Sequence, residues 1–325
     1  MRRLLRAREV GILLVLAMEI AVFSLLTRQP GRPSPMLDPA NLLATVRDMT
    51  VLATAALGSC VVIISGGIDL SVGSCIALTS VVIATAIVAG YPPLVASLLG
   101  VLTAVAMGLL SATFITRARL PPFIATLGMM SIARGVAYLI TKGATLPIPD
   151  SGFTREFGSG MVSVLGVGVP VPVLLLLVCA LLFHLLMTRT RWGRQVYALG
   201  GNEEAARLSG VPVARLKVSV YALGGLMAGL AGVIFTAYYG TGQSTAAMGW
   251  ELDAIASVVI GGGSLSGGRG SIWGTCIGAL LFQVLRSGLA MVGASDYNQL
   301  IIGAVVIAVV AFDQLTSRRT GARGV

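Results

Sequence analysis

Charge is scarce in this chain. Of its 325 residues only 11% are charged and 56% are hydrophobic, against about 25% charged in soluble domains. Too few polar groups remain to cover a globule in water, which leaves the lipid bilayer as the solvent. Histidine occurs once, as His184 inside an apolar run, so no cluster exists to complete a metal site. The four cysteines, Cys60, Cys75, Cys179 and Cys276, stand in apolar segments with no CxxC spacing. They read as small buried side chains. A P-loop is missing too. The nearest approach, residues 263–270 (GSLSGGRG), has neither the lysine nor the hydroxyl that phosphate binding needs. No Cys/His pairing for nucleophilic catalysis is evident. The chain is therefore expected to be no enzyme and to carry no cofactor. Its net charge of +10 is no nucleic-acid signature, because the basic residues sit in short connections between apolar runs, where the positive-inside rule accounts for them.

What is present is a series of apolar runs. A spanning helix needs roughly 20 mostly apolar residues, and ten candidates are found, near 9–27, 42–65, 71–89, 93–115, 121–141, 169–187, 215–239, 252–263, 270–292 and 297–313. Residues 1–8 (MRRLLRAR) resemble the start of a signal peptide, but no small-x-small site follows and Glu19 interrupts the run, so the first run reads as a membrane helix. The eighth candidate is short and ends in glycines, as a broken or re-entrant span would. Ten spans put both termini on one side, and that side receives most of the 23 Lys and Arg. The expected fold is thus an all-α polytopic membrane protein of about ten transmembrane helices with both termini cytoplasmic. It forms a single transmembrane domain over 1–325. The first six spans occupy 9–187, a cytoplasmic polar segment 188–217, the last four spans 218–313 and a cytoplasmic tail 314–325. The longest outer loop is 142–168. Gly225 with Gly229, and Gly274 with Gly278, form GxxxG patterns, which predict close helix contact within the chain. An internal echo links 61–74 (VVIISGGIDLSVGS) with 258–271 (VVIGGGSLSGGRGS). As a structural repeat, it would mark paired elements at the cytoplasmic mouth.

The polar island 188–217 (TRTRWGRQVYALGGNEEAARLSGVPVARLK) is the exception to all this grease. Asn202 is a good N-cap, since its side chain accepts from a free backbone N–H. Glu203 and Glu204 in the first turn favour the positive end of the helix dipole. Gly210 closes the helix in a left-handed conformation and Pro212 forbids continuation. The result is about two turns, and isolated helices below roughly 12 residues are marginal in water. Such a helix needs a surface, either its own bundle or a soluble partner.

Residues 197–208 (YALGGNEEAARL), with Ser209, Gly210 and Val211 after them, resemble the cytoplasmic coupling segment of ribose-type sugar permeases, the membrane subunits of ABC importers. So do 65–74 (SGGIDLSVGS), 125–135 (ATLGMMSIARG), 249–263 (GWELDAIASVVIGGG) and 265–274 (LSGGRGSIWG). The resemblance covers roughly 42–313. It implies a pore built with a second permease copy or a paralogue, two ABC ATPase subunits docked on the cytoplasmic side, and a periplasmic sugar-binding protein that delivers the cargo. It places the chain in the bacterial inner (plasma) membrane. The cargo it implies is a monosaccharide, a pentose or related sugar. The alternatives are the same architecture for a furanosyl signalling sugar or a branched-chain amino acid, or an ion-driven secondary transporter. On this reading Asn202, Glu203, Ala205, Arg207 and Gly210 form the ATPase-coupling contact.

Ionisable residues at membrane depth are costly and become functional candidates. Glu19 lies deep in the first span and Arg134 in the fifth, and the two are candidates to pair. Arg47 and Asp48 open the second span. Asp69 precedes the third, with Ser71 placed to cap it. This pair is either a helix start or a gate. Glu251 and Asp253 begin the eighth span, where they favour the helix dipole and are candidates to meet the binding protein. Ser80, Thr103, Ser111, Thr126, Ser131, Gln243 and Gln283 add hydroxyls and amides to the spans, which is compatible with a neutral, hydroxyl-rich solute.

Overall fold

A computed structural model describes residues 2–28, 33–149, 152–164, 166–305, 307, 308 and 311, with the backbone alone for 2–10. The described part is mostly helical. Its helices are α1 (Arg2–Leu26), α2 (Pro39–Ile64), α3 (Val72–Val88), α4 (Pro93–Thr116), α5 (Pro122–Thr141), α6 (Val171–Arg189), α7 (Arg191–Gly201), α8 (Glu203–Leu208), α9 (Val213–Tyr239), α10 (Trp250–Ile260) and α11 (Ile272–Met291). Six of these, α2, α4, α5, α6, α9 and α11, are long and apolar enough to cross a membrane, and α3 and the 11–26 stretch of α1 are shorter apolar helices. The last expected span, 297–313, lies partly outside the described residues. Helix is described there from 298 to 305.

The all-α expectation needs one correction. Short strands decorate the loop between α5 and α6 and the segment that follows α9. Strand β1 (Leu146–Pro147) pairs antiparallel with β4 (Thr241–Gly242), and β2 (Met161–Val164) forms a hairpin with β3 (Val167–Pro170). A π-helical turn, Phe153–Gly158, packs on the end of α9, where Gly158 lies against the Ala237 carbonyl. Paired strands satisfy backbone polar groups that a long structureless loop would leave open.

Helices α2 and α9 form the centre. They have 26 and 27 residues, about 39 and 40 Å at 1.5 Å per residue. They run antiparallel: Gly58 meets Gly224 and Met227, and Arg47 near the start of α2 meets Tyr238 near the end of α9. Helix α4 packs along α9 through small residues, as the GxxxG spacing predicts. A Cβ on Gly225 would overlap the Ala104 carbonyl, and one on Gly229 would lie 2.9 Å from the Val101 Cα. The second GxxxG serves α10, since Gly274 and Gly278 of α11 lie against the Gly261 and Ser257 carbonyls. Both motifs are spent within the chain. The outer helices turn apolar side chains outward, with Leu94, Leu139 and Leu182 exposed. In water such a surface would aggregate; against lipid it is ordinary.

The eighth candidate is corrected to α10, Trp250–Ile260, which has 11 residues. That is about 16 Å, half of a roughly 30 Å hydrocarbon layer. The chain supplies the other half as non-helical backbone. Residues 240–249 leave α9 and run down α3, pairing with Ser80 halfway along it and reaching Gly73 at its start. Residues 65–71 do the same from α2. They run along α9, where Gly67 meets Tyr221 and Asp69 lies beside Gly224. A long helix, a break and a short helix thus occur twice, antiparallel to each other, and the N-terminal ends of α3 and α10 meet where Gly73 touches Ala247 and Glu251. Inverted repeats with discontinuous helices meeting inside the bundle are a recurrent transporter design.

Candidate functional site

Two regions collect the polar side chains. The first is α8. Asn202 has an extended backbone and its side chain accepts from Ala205 N–H at 2.9 Å, which is the capping expected from sequence. Gly210 adopts φ +81°, and its N–H donates to the Arg207 carbonyl at 3.0 Å. That conformation is nearly free for glycine and costly for residues with a Cβ. Ala206 is buried and anchors the helix. Lys217 of α9 holds it from below with a 2.8 Å ion pair to Glu203. Arg207 bridges Glu203 and Glu204 at 3.3 and 3.2 Å. Of the five residues expected at a partner contact, Asn202, Ala205, Arg207 and Gly210 are exposed, while Glu203 is half-buried and tied to Lys217. Two residues were missed. One is Lys217. The other is Leu208, which is 81% exposed. A leucine at the tip of a short polar helix, with no core to face, was the available signal. A cleft lined by Arg119, Leu120, Glu203, Arg207, Val213 and Lys217, among others, opens between α8, the α4–α5 turn and the start of α9.

The second region is the meeting of the two breaks. Arg134 of α5 donates to the Ser244 and Ala246 carbonyls, both at 2.8 Å. It therefore does not pair with Glu19. The sequence offers Arg134 carboxylates as partners, but the break in the second long helix exposes carbonyls at its own level, and these are the closer acceptors. Glu19 instead lines an apolar cavity with Met18, Val22, Val259, Leu281 and Leu285, and its Oε2 is buried with no hydrogen-bond partner among the described residues. Such an oxygen costs about 1–3 kcal/mol. Glu19→Leu should raise the melting temperature of the purified chain, and an unchanged or lower value would remove this account of the cavity.

Asp69 is buried, and its Oδ1 accepts from the Ser71 amide at 2.8 Å and the Ser71 hydroxyl at 2.6 Å. Ser71 therefore does not cap α3 as expected, because its hydroxyl is already committed to Asp69 and makes no capping bond. The pair holds the break before α3 in shape, with the Ile68 carbonyl accepting from Thr126 at 3.2 Å. Glu251 and Asp253 begin α10, Glu251 half-buried and Asp253 buried. Asp253 is buried in an ion pair with Arg286 of α11, which also stacks over Trp250 at 5.2 Å. Oε2 of Glu251 is buried against the first turn of α3. Arg47 donates to the Tyr238 hydroxyl at 2.7 Å, and that hydroxyl donates to Asp48 at 2.8 Å, so these charges clamp α2 to the end of α9.

No group of three or more His, Cys, Asp or Glu able to hold a metal is found among the described residues. All four cysteines are free, and His184 packs near the Trp273 ring at 6.1 Å. What the two regions offer is positioning, by hydrogen bonds and ion pairs that hold α8 and the two breaks in shape.

The family described as branched-chain amino acid transport system / permease component matches residues 41–310. The ribose import permease protein of Bacillus subtilis strain 168 is 40% identical over 274 residues, 83% of each chain. That of Escherichia coli strain K12 is 43% identical over 273 residues, 82% of this chain and 83% of its own. The D-allose transport system permease protein of the same strain is 36% identical over 310 residues, 95% of this chain and 92% of its own. Helices able to cross a membrane and a polar segment beside them agree with these relatives. The chain belongs to this permease family, among its ribose-type sugar members, as a multi-pass membrane subunit of an ABC importer whose ATP hydrolysis resides in a separate subunit.

Proposed function

We propose that the chain forms, with a second copy or a paralogue, the pore of a bacterial inner-membrane importer for a monosaccharide, a pentose or a related sugar. A periplasmic binding protein delivers the sugar. The chain crosses the membrane about ten times, counting the half-helix α10 and the helix beginning at 298, with both termini and α8 in the cytoplasm. ABC ATPase subunits grip α8 through Asn202, Ala205, Arg207 and Gly210, to which Leu208 is added. The observation that carries the reading is α8 itself: a capped helix of about two turns, anchored to the chain by Ala206 and the Lys217–Glu203 ion pair, that presents an exposed leucine on its outer side. A leucine held in water at a helix tip gains roughly 1.5–3 kcal/mol when a partner's apolar pocket buries it.

The sugar cargo rests on the ribose and D-allose relatives. Another relative is named an autoinducer 2 import permease, which keeps a furanosyl signalling sugar as a second reading. A branched-chain amino acid has only the family's broad description behind it, and an ion-driven cycle has no support among these relatives. The test is uptake of labelled ribose into vesicles holding the whole importer with its binding protein. Uptake should require ATP inside, persist when ion gradients are collapsed, and be competed by ribose more than by leucine. Transport that survives ATP depletion and stops with the gradient would end this proposal.

A further inference from the structure

Three loops meet at glycine next to α8. Residues 64–67 end α2 and lead into the first break. Residues 200 and 201 end α7, one residue before the Asn202 cap. Residues 261–271 join α10 to α11. Gly268 N–H donates to the Ile64 carbonyl at 2.9 Å. Gly200 fills the space between them: a Cβ there would overlap the Ile64 carbonyl and lie 2.5 Å from the Gly268 nitrogen. A Cβ on Gly267 would lie 2.6 Å from the Gly200 oxygen and 2.9 Å from the Gly66 Cα. By contrast, nothing lies within 4 Å of a Cβ on Gly201. One side chain crosses the junction, where the Tyr197 hydroxyl of α7 donates to the Gly270 carbonyl at 3.0 Å. Burial pushes the Tyr197 phenol up to about 12, with Cys60 adding to the shift, so it remains a donor throughout the physiological range.

We infer that Gly200 and Tyr197 are positioning residues that pass motion of α8 to both broken helices at once. This rests on the reading of α8 as the ATPase contact. Backbone packed directly on backbone has no side chain to absorb a displacement. Helix α7 is continuous up to Gly201 and reaches α8 through Asn202 alone, so a tilt of α8 moves Gly200. The Gly200 backbone then bears on the Ile64 carbonyl, which leads into the break before α3, and on Gly267 and Gly268, which lead back into α10. These are the two helices whose starts meet at Gly73 and Glu251 inside the bundle. A single contact thus reaches both halves of the inverted pair, and its output is the opening between them.

The experiment uses the complete reconstituted importer and measures ATP hydrolysed per sugar imported. Gly200→Ala should raise that ratio at least about fivefold, the low end of measured coupling between sites, and Gly201→Ala should leave it unchanged. Tyr197→Phe removes one hydrogen bond without a clash and should raise the ratio up to about fivefold, which keeps the test decisive where Gly200→Ala does not assemble. Leu208→Cys cross-linking to the ATPase is measured in the same preparations. Cross-linking together with normal ratios in Tyr197→Phe, and in Gly200→Ala where it assembles, overturns the junction alone. Absence of the cross-link in an active importer overturns the docking role of α8 itself.

Discussion

Arg134→Met should abolish uptake while the chain still inserts in the membrane. Arg134 gives the same nitrogen to the carbonyls of Ser244 and Ala246, which belong to non-helical backbone among buried residues. In a bilayer, broken backbone survives only where protein or trapped water satisfies it. Removing the guanidinium frees two carbonyls at about 1–3 kcal/mol each. It also removes a positive charge that interacts with Glu251, whose Oε2 is buried with no hydrogen-bond partner among the described residues. The 240–249 segment would then shift, and with it the meeting of α3 and α10. Arg134→Lys keeps the charge but carries it as a compact ammonium on a differently shaped side chain, so it should recover only part of the uptake. The check is vesicle uptake alongside the thermal stability of purified protein. Wild-type uptake and melting by Arg134→Met would show that this arginine holds nothing.

Gly210→Pro is expected to cut uptake more than about tenfold, the equivalent of 1.4 kcal/mol, with insertion and expression intact. Gly210 has φ +81° and gives its N–H to Arg207. Proline is locked near −65° and has no N–H, so the turn that ends α8 cannot form. The damage stays local because Gly210 is exposed and no atom lies within 4 Å of where its Cβ would be. Ala205→Glu reaches the same face without touching the turn: Ala205 is exposed, and a third carboxylate would stand beside Glu203 and Glu204. Both variants should keep ATP hydrolysis in the complex or lower it, and neither should import sugar. Normal uptake by both at normal expression would remove α8 from the drive train.

These two sites differ in how far they could be read in advance. The α8 site was legible because its interactions are local. Asn202 meets Ala205 three residues on, Gly210 meets Arg207 three residues back, and Arg207 meets Glu203 and Glu204 within one turn. Spacing alone specifies such contacts. Glu203 was legible only in part, because its second cationic partner, Lys217, lies 14 residues away across a turn. The site around Arg134 was not legible. Its acceptors are 110 and 112 residues distant and are backbone atoms, which carry no residue signature. The same holds for Arg47 with Tyr238, 191 residues apart. Glu19 and Arg134 carry opposite charges in hydrophobic stretches of the sequence, but charge sign does not encode proximity.

Composition by itself decided the solvent. With this little charge the chain has to sit in lipid, and lipid demands helices that satisfy their own backbone. Local chemistry decided where α8 starts and stops, and GxxxG spacing decided that backbones would touch. Only the tertiary structure decided which helices are whole and which are half. Spans that are apolar nearly all round have no preferred face, so hydropathy cannot say that α10 stops after 11 residues or that α3 and α10 meet at their starts. That outcome depends on which distant groups arrive to satisfy the exposed carbonyls of a break, a matter of three-dimensional placement that residue order does not encode locally.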